Sequence, residues 1–296
     1  MDALDILGSS NANLRFVLDY DYSKRQYLEA VINEATLYNA YIQCSDKVSA
    51  EFLRYYQRYG YVSTKDYLVT KETLRNIGWK GTITATSIYS LNMMLQEYEI
   101  NTTERLRHFF TQVLIESGSG LYLREGEYLL SEPYNYSQKE YENLYNTSNK
   151  RYSYKDRGVG YIQTTFSYNH QAFATYLLMK DYPELDIKFY SPAQNDSERI
   201  AQNYQDSIRG AMENGIDVLN YEIIVEKGTD YIANNYAWDI SGYWWMVNEE
   251  NQKIDKLNPD DKYEVDNVTD DVNYNLGSRE RAIRIEKYVQ IKEYIR

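Results

Sequence analysis

Glu116, Glu125 and the polar run from Tyr154 to Asn169 share one stretch of chain, between Asn101 and Asn169. Two carboxyl groups facing one cleft are what hydrolysis of a glycosidic bond requires: one protonates the leaving oxygen and the other activates the attacking water. The polar run adds Gln163, Thr165, Tyr168 and Asn169, neutral hydrogen-bonding side chains of the kind that hold sugar hydroxyls. They follow Gly158 and Gly160, where the absence of a Cβ lets backbone come close to a ligand. By composition Glu127 is as good a second carboxylate as Glu125. Each piece also has a plainer reading, as a frayed helix end, a surface charge and an ordinary polar loop. Their combination points to a polysaccharide-cleaving cleft.

Glu116 needs a helix to position it. Asn101 and Thr102 are N-cap candidates, and Glu104 places negative charge in the first turn. Leu106, Phe109, Phe110, Val113 and Leu114 recur at the spacing of one apolar face, which puts Glu116 on or beside that stripe, and Gly118 and Gly120 stop the helix. Partial burial and the negative end of the helix dipole both favour a protonated carboxyl there, the state a general acid needs. Glu125 stands beside Arg124, and a neighbouring cation favours the ionised form that a base needs.

These segments resemble glycoside hydrolase family 19, the plant-type chitinases and related bacterial and phage lysins. The family's helix reads roughly HFxAQxxHES, and HFFTQVLIES occupies 108–117. Its second motif reads roughly YxGRGxIQLTxxxNY, and YKDRGVGYIQTTFSYNH occupies 154–170. The lead-in LNMMLQEYEINTTERLRHFF is similar to the family's helix, turn and next helix, and SGYWWMVN (241–248) to its AxWFW helix. VTDDVNYNLGSRERAIRIEKY (268–288) resembles ITxxINGG followed by a late arginine and an aromatic. The resemblance covers roughly residues 68–185 and 230–296.

The resemblance implies a mainly α, lysozyme-like bilobal helical domain. It makes Glu116 the acid, Glu125 the base in an inverting mechanism, and Thr165 the group that positions water. Gln163, Tyr168, Asn169 and Asn273 contact sugar, and Arg284, with Arg281 as a competing match, holds the carboxylates. Ile115 stands where the family has histidine, Val159 where it has the arginine between two glycines, and His170 where it has tyrosine. Asn273-Tyr274-Asn275 replaces a turn whose glycines shape a sugar-facing surface, which implies altered specificity. The expected substrate is the β-1,4 glycan of peptidoglycan. Chitin oligomers are the alternative, and a non-catalytic glycan-binding or structural protein on the same fold is the rival from another class.

Composition supports a helical protein without a polyanionic partner. Only 14 glycines and 4 prolines in 296 residues disfavour a turn-rich β fold. A net charge of −12 argues against nucleic-acid binding through a general electrostatic footprint. The 34 tyrosines suit packing and sugar faces alike. Cys44 is the only cysteine, so no intrachain disulfide forms, which places the chain nearer the bacterial and phage branch than the plant chitinases. His108 and His170 lie far apart without other ligands at metal spacing, and no metal or organic cofactor is expected. The N-terminus lacks the basic and apolar regions of a signal peptide, and no run reaches the roughly 18 apolar residues of a membrane span. These features imply a protein held in the cytoplasm until release and acting at the cell wall or outside the cell.

In outline, residues 1–65 read as a helical extension, with a stripe of Leu28, Val31, Ile32, Ala35 and Tyr38. Such an extension suits a delivery or assembly partner. Residues 66–296 read as the catalytic domain, with an insertion at 186–230 that lengthens a cleft rim or pairs subunits. Within that domain, 127–155 is expected as irregular tyrosine-rich chain with a short helix, 231–248 as one buried aromatic helix, and 249–267 as an acidic loop.

Overall fold

The helix that ends on Glu116 forms as its sequence requires. In a computed structural model, which describes residues 49–296 except 61, 63, 148–151, 195 and 274, it spans Thr103–Glu116. Thr102 caps it, accepting the Arg105 N–H at 3.3 Å. Its inner face buries Leu106, Phe109, Phe110, Val113 and Leu114. The extension's apolar stripe and Cys44 lie outside the described residues.

Thirteen α-helices account for the described chain, and no strand occurs among the described residues. In order they are α1 (Ala50–Tyr59), α2 (Lys71–Asn76), α3 (Ala85–Glu97), α4 (Thr103–Glu116), α5 (Gln138–Thr147), α6 (Ser167–Asp181) and α7 (Ser197–Glu213). Next come α8 (Leu219–Lys227), α9 (Thr229–Asn235), α10 (Ala237–Val247), α11 (Glu250–Ile254), α12 (Val265–Asn273) and α13 (Ser278–Lys292).

One hydrophobic core runs through α3, α4, α6 and α10, and α1 belongs to it. Phe52, Tyr55 and Tyr56 are buried with the rest of the core. Arg54 pairs with Asp239 of α10 at 2.9 Å and with Asp181 of α6 at 3.0 Å. The buried Glu51 carboxylate accepts the Trp238 and Asp239 N–H groups, each at 3.0 Å, and so satisfies donors at the start of α10. The boundary expected at residue 65 therefore does not separate α1 from the other helices.

The segment at 186–230 is also built in: α7 and α8 both pack against α6. The aromatic stretch expected as one helix is two, α9 and α10, broken at Tyr236 (φ −142°, ψ 31°). The stretch expected as an acidic loop contains α11 and the first turn of α12. Tertiary contacts override its polar composition: Asn251 donates to Tyr98 O at 2.8 Å and accepts from Trp245 Nε1 at 3.0 Å.

Candidate active site

Glu116 sits at the C-terminal end of α4 with its side chain 16% exposed. The buried Arg284 of α13 donates to it and to Gln112 one turn earlier. Gln112 in turn donates to Thr269 of α12 at 3.1 Å. One polar chain thus ties α4, α12 and α13 behind this carboxylate. Arg281, the competing match, pairs instead with Asp270 of α12 at 2.5 Å. Arg284, expected to hold the catalytic carboxylates, is found on Glu116.

Glu125 is fixed through both backbone and side chain. Its N–H donates to Gly158 O at 2.9 Å, and its carboxylate accepts the Gly158 N–H at 3.2 Å and the Tyr152 hydroxyl at 2.8 Å. Tyr141 and Tyr145, both of α5, donate their hydroxyls to Glu125 O. Burial and the Glu125 charge push the Tyr152 phenol well up, so it remains a donor. Arg124 engages Glu127, Asp230 and Asn234. Glu127 is further used by the N–H groups of Leu123 and Arg124, at 2.8 and 3.2 Å. Between the two glutamates left open by the sequence, Glu127 closes its own loop and Glu125 reaches the glycine turn.

That turn is short and strained. Val159 bridges to Arg124 on one side and Thr164 on the other. Gln163 and Phe166 adopt left-handed φ values of 61° and 80°, which non-glycine residues seldom take and which functional loops collect. A Cβ on Gly158 would lie 3.2 Å from Glu125 Cβ and 3.3 Å from Gln163 Cβ, so the turn packs closely between these two side chains. Gln163 donates to Gly160 O at 3.0 Å, Thr165 donates to Gln163 O at 2.9 Å, and Asn169 donates to Thr165 O. The Thr165 hydroxyl keeps its lone pairs for a water or a sugar hydroxyl.

Besides Tyr152, the tyrosines of 127–155 divide into two sets. Tyr141, Tyr145 and Tyr154 surround the buried Arg157, which lies 3.7 Å above the Tyr154 ring and pairs with Asp230 at 2.6 Å. Tyr128, Tyr134 and Tyr136 stay exposed.

A cleft of about 370 Å³ gathers Gln163, Thr165, Tyr168 and Asn169. Its far wall holds residues the sequence reading missed, chiefly Trp244, Asn248 and Asp271. Pro192 and Ala193, from the segment at 186–230, are also among its lining residues. Asn273 ends α12 and is not among the lining residues; Asp271 and Val272 take that position. Successive helical residues point about 100° apart, so one residue of register decides which faces the cleft. Glu116 and Glu125 are not among the lining residues either.

Both histidines are buried, His108 Nδ1 and both His170 ring nitrogens lack hydrogen-bond partners, and burial pushes each down to about 4. Among the described residues no group of three or more His, Cys, Asp or Glu could hold a metal, and no helix is long and apolar enough to cross a membrane. No family model, curated protein or solved structure matches this chain.

Proposed function

We propose that the protein is a cell-wall hydrolase on a lysozyme-like, bilobal helical scaffold, cleaving β-1,4 glycosidic bonds of peptidoglycan with inversion. The observation that carries this reading is the Glu125–Gly158–Gln163 junction: the loop bearing one candidate carboxylate is hydrogen-bonded to the turn whose next residues line a polar cleft. In this mechanism Glu116, oriented by Arg284, protonates the leaving oxygen. Glu125, oriented by Tyr152 and Gly158, takes a proton from water attacking the opposite face, and Thr165 helps to hold that water. Gln163, Tyr168, Asn169 and Trp244 bind sugar through polar groups and an aromatic face. Chitin oligomers are the alternative substrate of the same chemistry. The protein would act at the cell wall after release from the cytoplasm.

One observation favours a second reading, a glycan-binding protein without activity: neither glutamate is among the residues that line the cleft. The two readings part on product chemistry. The hydrolase releases new reducing ends from purified glycan strands, and proton NMR of the earliest product shows the α-anomer from a β-linkage. Binding of the same strands with no reducing ends released would overturn the hydrolase reading and leave the binding protein.

A further inference from the structure

A second cavity, of about 520 Å³, adjoins the first, and Phe166 and Tyr168 line both spaces. It has the volume of a small-ligand site. Its aromatic walls are Tyr152, Phe166 and Tyr168: Tyr152 meets Phe166 edge to face with ring centroids 5.4 Å apart, and Phe166 stacks on Tyr168 at 5.4 Å and 10°. Its charged lining residues are Asp156 and Glu198, with serines and Gln171 between. Among the described residues no lysine or arginine lines it. Lys155 lies against Gly228 instead, and Arg199 sits 4.0 Å over the Tyr190 ring. Ser153 holds one Asp156 oxygen at 2.7 Å, and the other oxygen is buried without a hydrogen-bond partner. His170 Nδ1 lies 3.8 Å from that second oxygen, and burial keeps its imidazole neutral.

Three aromatic rings and two carboxylates without a counter-cation form a receptor for an alkyl ammonium group. We infer that this cavity, which shares Phe166 and Tyr168 with the sugar cleft, binds a primary ammonium carried by the substrate. This rests on the glycan reading above and narrows it. A fully acetylated chitin chain carries no such group. A peptide-substituted glycan carries one on the side chain of its diamino acid, and a partly deacetylated glycan carries one on the sugar. Tyr152 also donates to Glu125, so occupancy of this cavity touches a residue that positions the proposed base.

The test measures binding alone, by calorimetry on the full chain, so a failure of the hydrolase reading would not disturb it. The probes are a synthetic stem peptide with a free diamino-acid amine, the same peptide acetylated on that amine, and a glucosamine oligomer with free amines. Glu198 is exposed in the first turn of α7, where Glu198→Gln leaves the core untouched. Binding of the free-amine peptide should weaken about tenfold on acetylation and again in Glu198→Gln. The same dependence with the glucosamine oligomer in place of the peptide would put the ammonium on the sugar. Equal binding of free and acetylated probes, unchanged binding in Glu198→Gln, or no binding of either amine would overturn the proposal.

Discussion

At the scale of single residues, the proposed site depends on how firmly Glu125 is held. Tyr152→Phe removes the hydroxyl that reaches its carboxylate at 2.8 Å while keeping the ring in place. It should lower kcat by about 10- to 100-fold with little change in KM, because misplacing a catalytic group costs turnover more than binding. Gly158→Ala brings a methyl group to 3.2 Å from Glu125 Cβ and 3.3 Å from Gln163 Cβ and should cost about 1 kcal/mol of stability by urea titration. Residues of this sort divide into those legible in the sequence and those that were not. Glu116, Glu125 and the 163–169 run stood out because they fall together in one stretch of chain whose segments resemble glycoside hydrolase family 19. Tyr152 did not, since 34 tyrosines give no reason to choose one. Trp244 did not stand out either, since it adjoins the buried Trp245 in a stretch that reads as one aromatic core helix.

At the scale of elements, Arg284 explains why α13 matters to a carboxylate at the end of α4. It bridges Glu116 and Gln112, and Gln112 reaches α12. The late arginine was legible through its spacing to Tyr288, whose hydroxyl donates to Glu104 at 2.7 Å and aligns the same two helices. The extent of α1 was not legible, because a short amphipathic helix reads alike whether it docks on the core or lies outside it. Its docking has a direct consequence. A chain beginning at residue 49 should retain cooperative unfolding. One beginning at residue 66 loses Phe52, Tyr55 and Tyr56 from the core and should not. In the full chain, Arg54→Met leaves Asp239 buried without its ion pair and should cost about 3–5 kcal/mol, measured by chemical denaturation.

For the whole molecule, buried titratable groups set a pH dependence with two opposing limbs. Burial raises Glu51 and Glu250 from the ordinary 4.5 to about 8. A raised carboxyl contributes stability that is complete below its unfolded value and is lost as pH rises through the folded one. Burial lowers His108 and His170 from 6.5 to about 4, and their contribution is complete above 6.5 and lost as pH falls through 4. The melting temperature should therefore fall on both sides of a maximum in mildly acidic solution. From pH 6.5 to 8 only the carboxyls act, so Glu51→Gln should flatten that limb in a series of thermal melts. Helical class was readable from scarce glycine and proline and from apolar stripes at helical spacing. The break at Tyr236 and the helix at Glu250–Ile254 were not, because both are fixed by contacts between residues distant in the chain.

The central claim is that two glutamates cleave a glycan. It is met most directly by incubating the purified protein and its Glu116→Gln form with purified peptidoglycan and, separately, with chitin oligomers, and identifying products by mass spectrometry. The account predicts glycan fragments from peptidoglycan, with the rate falling by about 10²–10⁴-fold in the variant, the usual contribution of a general acid. Intact polymer with the wild-type protein, or identical fragments at the same rate from Glu116→Gln, would contradict it.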